Sequence, residues 1–512
     1  MTEKTFYITT AINYTNGSPH MGHLYESVIA DCLARYHRFS NKDVFFLTGS
    51  DEHGQKINEA ANNHQPPLIP IELCDKYVGE FQSLNKKMNI SYDFYIRTTM
   101  EKHENLAKYF WELCAKNGDI YLGKYTGWYS KREERFVTDT EAKEMNYKDG
   151  NQDLIQTCEP SYFFKMSKYH NRLVKYIQDH PEFIFPEEKR NEILERLKVP
   201  LFDLSISRTS FDWGVKLPEG YEKDHVMYVW FDALTNYLSG VNWPNGELAK
   251  FWPANVHLIG KDIAWFHAVI WPCMLFSAEI PLPKQIVCHG FVNGPDGRKM
   301  SKTWGNIVDP VVTLQTYKPD VIRYFILREG IFGSDFNFNP ESLETRHDGD
   351  LADNLGNLVN RVLNLTKRYS NSKVPVEAAE QIFDLEELSK YIESQYNKYH
   401  LQNIIHKIFS VVADLNKWIE VKSPWKLKGE EHDVEKKHIV RNLLEALYII
   451  AHYLEPIMPE SAKKVFELFN TNPVKLDVLK QNAWKHMIPG TEIIQGEPLF
   501  PRIKDSKFDK KK

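Results

Sequence analysis

Residues 6–23 read FYITTAINYTNGSPHMGH, and the fold is decided there. Residues 6–12 are β-branched and aromatic for the most part, the composition of a buried strand. Asn16, Gly17, Ser18 and Pro19 form a turn cluster, and from about Gly22 a helix is expected. Leu24, Val28, Leu33 and Tyr36 then recur on one side of that helix. Residues 43–49, DVFFLTG, read as a second short buried strand. Strand, helix, strand is the opening of a parallel α/β sheet of the doubly wound type. Such sheets bind ligands at the carboxyl ends of their strands. A helix that starts at that edge presents free N–H groups and positive potential to a phosphate. Gly22 has no Cβ, so a nucleotide could approach the backbone there. His20 and His23, three apart, face the same side and can donate hydrogen bonds to phosphate oxygens as charge builds.

Outward from this stretch, 512 residues exceed the ~250–300 at which single cores stop growing, so two or more domains are expected. The first half of the α/β domain spans 1–117. Over 118–223 charges, aromatics and turn residues mix without a long period, which reads as an insertion. The sheet is expected to resume over 224–290, with strands at 227–231, 256–259 and 285–288 and a helix at 265–276. A loop region follows over 291–349. From 350 to 512 the chain reads as a helical bundle, with apolar seams at Leu351, Leu355, Leu358, Val362, Leu365 and Tyr369, at Ile404, Ile408, Val412, Leu415 and Ile419, and over 443–454. Residues 507–512 read as a disordered basic tail.

The net charge of -5 does not suit a dedicated nucleic-acid binder, although a local basic stripe would suffice. The six cysteines are scattered without a Cys-x-x-Cys pair, which argues against a disulfide framework and a zinc knuckle and for reduced thiols. With no apolar run of ~20 residues and no leader-like start, the expectation is a cytoplasmic protein without membrane contact.

A second motif, GPDGRKMSKT at 294–303, packs three cations into five residues behind two glycines, a mobile cationic loop suited to a triphosphate. The chain lacks both the G-x-x-x-x-G-K-[ST] and the G-x-G-x-x-G phosphate signatures. Taken together, HMGH at 20–23 and KMSKT at 299–303 resemble the two signatures of class I aminoacyl-tRNA synthetases, with Thr303 where the family has Ser. The resemblance implies a Rossmann-like catalytic domain with a connective insertion, a stem-contact region and an α-helical anticodon-binding domain. A non-catalytic tRNA-binding relative would not keep both motifs intact. A small-molecule nucleotidylyltransferase would not need the helical domain, and synthetases for Leu, Ile or Val carry larger insertions.

The segments FFLTGSDEHGQK, DLSISRTSFDWG, YVWFDALTNYL and LIGKDIAWFHAVIWP extend the resemblance to the methionyl enzymes over nearly the whole chain. It implies a methionine pocket of Ile12, Tyr14, Asp51, Trp230, Ala233, Tyr237, Ile263, His267 and Trp271. Asp51 would hold the ammonium group, and Tyr237 and His267 would hydrogen-bond near the sulfur. Aromatic walls suit a flexible, polarisable thioether. Leu234 stands where many family members carry Pro. For ATP the resemblance implies His20, Gly22, His23, Glu26, Gly260, Asp262, Lys299 and Lys302, with His20, His23, Lys299 and Lys302 acting in catalysis and Mg2+ accompanying ATP. Many relatives hold zinc in the insertion. Here Ser130 stands at an expected ligand position and Cys158 is alone, so no zinc is expected. In the helical domain Asn354, Asn357, Arg361, Asn364 and Arg368 form a polar stripe. Asn and Arg can read unstacked bases, and Trp425 could stack on one. The resemblance points to Asn357, Arg361 and Trp425 as anticodon contacts. The expected partners are methionine, ATP and tRNA(Met), for a protein that is a monomer.

Overall fold

The first strand, β1 (Thr5–Tyr14), leads through the 16–20 turn into helix α1 (Met21–Phe39), as the opening stretch requires. The structure, a computed structural model, describes residues 4–130, 135–137, 142–143, 154–300 and 304–503. Beside β1 lies β2 (Asp43–Asp51), and β3 (Phe94–Arg97), β4 (Ile184–Phe185), β5 (Val256–Gly260) and β6 (Ile286–His289) complete a parallel sheet in the order β3-β2-β1-β5-β6-β4. Strand order reverses between β1 and β5, and that crevice is where an open α/β sheet takes its ligand.

Side chains along these strands alternate between two cores. Phe6, Ile8, Phe46, Leu258 and Val287 join one with α1 and the helical bundle. Tyr7, Phe45, Leu47, Ile259, Ile286 and Cys288 join the other with the helices of the insertion side. Both faces are therefore covered, which is why the strands read as continuous apolar runs. β1 carries one extra residue between Thr9 and Ile12, a bulge that releases the Ala11 N–H from the ladder.

Part of the insertion forms an antiparallel sheet of Arg135–Val137, Ile120–Ser130, Leu154–Phe164 and Leu204–Ser205. Strand β4 comes from the same stretch of sequence yet pairs with β6 at the edge of the main sheet. The expected strand at 227–231 is not part of that sheet. Val226 and Met227 pair antiparallel with Arg208 and Ser207, and Val229–Ala233 is a short helix. Val229, Phe231, Asp232 and Ala233 are all buried, so no helical period shows in the sequence. The expected helix at 265–276 exists but is widened at its start, where the Trp271 N–H donates to the Phe266 carbonyl five residues back. Pro272 has no N–H with which to continue the regular ladder.

The C-terminal helices include α2 (Asn357–Ser370), α3 (Leu401–Lys422) and α4 (Asp433–Leu454), whose expected seams are buried except for the half-buried Tyr369. The chain then folds back over them: Ile493 N–H donates to the Ser372 carbonyl, and Ile503 N–H to Asp348. The tail at 507–512 lies outside the described residues. Among those described, no helix is long and apolar enough to cross a membrane.

Candidate active site

His20 is the N-cap of α1. Its Nδ1 accepts the Gly22 N–H (3.1 Å), and Nδ1 of His23 accepts the His20 N–H (3.2 Å). The two rings stack at 3.6 Å, 17° from parallel. Desolvation holds both pKa values below the ordinary 6.5, His23 the further of the two, so the rings are neutral at pH 7. With each Nδ1 accepting, each proton sits on Nε2, which leaves two N–H donors at the mouth of the crevice. A Cβ on Gly22 would lie 3.0 Å from Cε1 and 3.1 Å from Nδ1 of His20. The glycine therefore makes room for the histidine of its own motif.

Glu26, one turn further along α1, is buried. It accepts the Ala11 N–H released by the β1 bulge (2.9 Å) and faces Nε2 of His289 at 2.9 Å. Nδ1 of His289 faces the Gly290 carbonyl at 2.8 Å. Both ring nitrogens thus meet acceptors, so ring and carboxyl share a proton. Burial opposes both charges, yet Glu26 raises the His289 pKa, and desolvation raises that of Glu26. His289 escaped the sequence reading, although it ends a strand at the same edge that singled out His20. Across the crevice, the exposed Asp262 carboxylate crowds Gly260, where a Cβ would meet its Oδ1 at 2.7 Å. Asp262 does not cap a helix through its side chain.

Of the cationic loop, residues through Met300 are described and Lys302 lies outside the described residues. Gly294 and Gly297 build a tight turn: Gly297 has φ +76 and donates to the Gly294 carbonyl, and Gly294 donates to the Arg298 carbonyl. Asp296 accepts from Asn306 and from the Arg298 N–H, contacts that hold its pKa at about 2. Lys299 is exposed, with Nζ 5.1 Å from the Phe291 ring centre.

The methionine-pocket candidates gather on one side of the sheet. Tyr14 and Asp51 lie side by side at the ends of β1 and β2. Ile12, Tyr14, Trp230, Tyr237, Ile263 and Trp271 pack on one apolar cluster, and Ala233 is buried next to Leu234 of that cluster. Trp230 stacks on Phe266 (3.7 Å, 10°) with its ring 6.2 Å from His267. Nδ1 of His267 faces the Ile263 carbonyl (3.1 Å) and so carries the hydrogen; burial lowers the ring's pKa to about 4, leaving it neutral. Tyr237 therefore donates its hydroxyl hydrogen to Nε2 (2.7 Å). Leu234, where Pro was noted in relatives, is buried, and its N–H donates to the Trp230 carbonyl at 3.3 Å, a bond Pro cannot make.

In the helical domain Asn357 donates to Asn416 of α3 (3.3 Å), and Arg361 pairs with Glu420 (2.6 Å) while its guanidinium lies 5.9 Å from the Trp425 ring. The three residues singled out by sequence thus form one patch. Asn364 and Arg368 are exposed on the same helix.

With this geometry in hand, the comparisons decide the family. A family model described as class I tRNA synthetases (M) matches residues 6–159 and 146–363, and one described as the anticodon-binding domain of methionyl-tRNA ligase matches 371–512. The chain belongs to the methionyl-tRNA synthetases. A methionine–tRNA ligase of Thermotoga maritima is 40% identical over 99% of this chain and 81% of its own length, and one of Rickettsia prowazekii is 39% identical over 98% and 100%. Methionyl-tRNA synthetase from Mycobacterium tuberculosis, solved in complex with methionyl-adenylate, superposes with a TM-score of 0.89 at 38% identity, covering 98% of this chain and 100% of that one. Its free state gives 0.83 at 36% identity, with 98% of each chain covered. The methionyl-tRNA synthetases are ATP-dependent aminoacyl-tRNA ligases, and both halves of the expected architecture are present here.

Proposed function

We propose that the chain activates methionine with ATP to methionyl-adenylate at the β1–β5 crevice and passes the methionyl group to tRNA(Met). The observation that carries this is one sheet edge bearing both the stacked His20–His23 donors and the neutral Tyr237–His267 pocket. The relative solved with methionyl-adenylate supports the same reading. The methionine carboxylate attacks the α-phosphate in line, and pyrophosphate leaves, so no side-chain nucleophile is needed. ATP enters as its magnesium complex, the ion offsetting polyphosphate charge. His20, His23, Lys299 and Lys302 stabilise the charge that develops. Asp262 takes a ribose hydroxyl beside Gly260, and Glu26 acts through the bulge and His289. Asp51 receives the substrate ammonium between Ile12, Tyr14 and the aromatic wall. Tyr237 and His267 spend their hydrogens on each other and on Ile263, so they serve as a rigid neutral wall rather than as donors to sulfur. ATP–pyrophosphate exchange with each of the twenty amino acids tests the reading. Exchange with methionine alone is expected, and exchange with another amino acid instead would reassign the pocket.

Asn357, Arg361 and Trp425 are proposed as anticodon contacts. Glu420 is 62% exposed on its side chain, so its pairing with Arg361 contributes about 0–1 kcal/mol and is readily exchanged for an RNA group. Trp425→Ala is expected to weaken aminoacylation while sparing amino-acid-dependent exchange. Equal loss of both would make the residue structural.

The insertion is read as folding without zinc. Ser130 is buried at the end of its strand, and the side chain of Cys158 lies outside the described ones. Elemental analysis of purified protein should find far less than one zinc per chain, and near-stoichiometric zinc would overturn the reading. The monomeric state and cytoplasmic location belong to the same proposal. The buried, unpaired thiols of Cys32, Cys74, Cys114, Cys273 and Cys288 suit a reducing compartment.

A further inference from the structure

β2 ends at Asp51, and the chain turns through Glu52, His53 and Gly54, the last at φ +100. Some 180 residues later the Val229–Ala233 helix carries Trp230 and Ala233 of the pocket wall, with Asp232 between them. The Asp232 carboxylate lies in a buried cluster. Its Oδ2 accepts from Nδ1 of His53 (2.7 Å) and its Oδ1 from Nε2 of His103 (2.7 Å). Nδ1 of His103 meets the Ser239 hydroxyl at 2.9 Å. All four residues are buried. Burial alone would raise the Asp232 pKa, but the two imidazoles hold it at about 2, so the carboxylate is ionised at neutral pH.

An ionised carboxylate at this depth is costly to keep, and it contributes little net stability over a well-packed apolar group. Its value lies in where it sits. His53 is two residues from Asp51, and Asp232 is two from Trp230 and one from Ala233. The other contacts of the turn lead elsewhere. The Glu52 carboxylate is taken by Arg97 (2.7 and 3.0 Å) and Thr99 (2.6 Å). Trp213 Nε1 donates to the Glu52 carbonyl (2.6 Å), and Gly54 N–H donates to the Trp213 carbonyl (3.3 Å). These fix the turn to β3 and to the end of the insertion, whereas the His53–Asp232 bond runs to the wall helix.

We propose that His53 and Asp232 are positioning residues that clamp the ammonium end of the methionine pocket to its aromatic wall, so that their hydrogen bond sets the pocket's width. The inference rests on the pocket assignment above. Neither residue touches substrate. A side chain held by a locked neighbour keeps a site within a fraction of an ångström, and a shift of ~1 Å can cost ~10²-fold.

The test is methionine-dependent ATP–pyrophosphate exchange on the full chain, with kcat and the KM of each substrate. His53→Asn places its amide nitrogen where Nδ1 stood, and His53→Gln places it where Nε2 stood. Both keep a polar side chain of similar size. His53→Gln is expected to raise the methionine KM by about 10-fold or more, with the ATP KM near wild type, and His53→Asn to return most of that loss. Equal methionine KM values for the two variants, or equal losses in both substrates without recovery by Asn, would overturn the clamp. Asp51→Ala serves as the separate check on the pocket: an unchanged methionine KM there would sink the pocket assignment itself, whereas a raised value beside unaffected His53 variants would sink the clamp alone.

Discussion

Replacing His20 with alanine is expected to lower kcat for methionine activation by about 10²–10³-fold, the range seen when one preorganised donor to a developing oxyanion is removed. The methionine KM should stay near wild type, because the pocket around Tyr237 and His267 is built from other elements. The argument rests on how the two histidines are held. Each Nδ1 is consumed by a backbone N–H of the same helix turn, so each Nε2–H is committed as a donor before substrate arrives. Desolvation keeps both rings neutral, so no protonation step precedes catalysis. Gly22→Ala should reproduce much of the defect without touching either histidine, since its Cβ would press on the His20 ring at 3.0 Å. Lys302→Ala is expected to act on the same step, because its charge is proposed to stabilise the phosphate oxygens as their charge peaks. A large loss of methionine affinity in His20→Ala would contradict this division of roles. So would Gly22→Ala with wild-type kcat.

How much of this could be read beforehand depended on whether a residue's role was local. The β1–turn–α1 unit was legible, because its strand composition, turn cluster and helical period all lie within about thirty residues. So was the α2 seam, where one face is buried and the other wet. The 227–231 segment reads as a strand but is not one: a five-residue helix buried at all positions but Trp230 shows no period. The site divided the same way. His20, Gly22 and His23 stood out by spacing alone, yet the purpose of Gly22 needed the His20 ring in place. Glu26 could be named from the resemblance, but its partners could not. The Ala11 N–H is free only because β1 carries an extra residue, and His289 lies 263 positions away. In the sequence Asp232 is one acidic residue in an aromatic segment. Its two imidazole partners come from the turn after β2 and from the helix Glu101–Lys116.

The largest loss of stability is expected at Arg323, far from the chemistry. This residue is fully buried in the helix Pro319–Glu329, and its guanidinium pairs with Asp31 of α1 at 2.7 Å. It also donates to the carbonyls of Ile457 (2.9 Å), Pro456 (3.0 Å) and Met88 (3.4 Å). One side chain therefore joins the signature helix to the turn that ends α4. Asp31 keeps Arg35 and Ser91 as partners, and together with Arg323 they hold its pKa low against burial. Arg323→Met would remove one charge of a buried pair and strand three carbonyls, a change that costs about 3–5 kcal/mol. Arg323→Lys should recover only part of this, since a single ammonium cannot span acceptors laid out for a planar fork. By contrast, breaking the exposed Arg361–Glu420 pair should change stability by no more than about 1 kcal/mol. Urea unfolding followed by tryptophan fluorescence would compare the three variants. A midpoint for Arg323→Met no lower than that of Arg361→Met would mean that the buried ion pair does not hold α1 to the helical domain. If the midpoint falls as expected, the variant's residual folded fraction should still exchange pyrophosphate with an unchanged methionine KM, because nothing in the methionine pocket leans on this guanidinium.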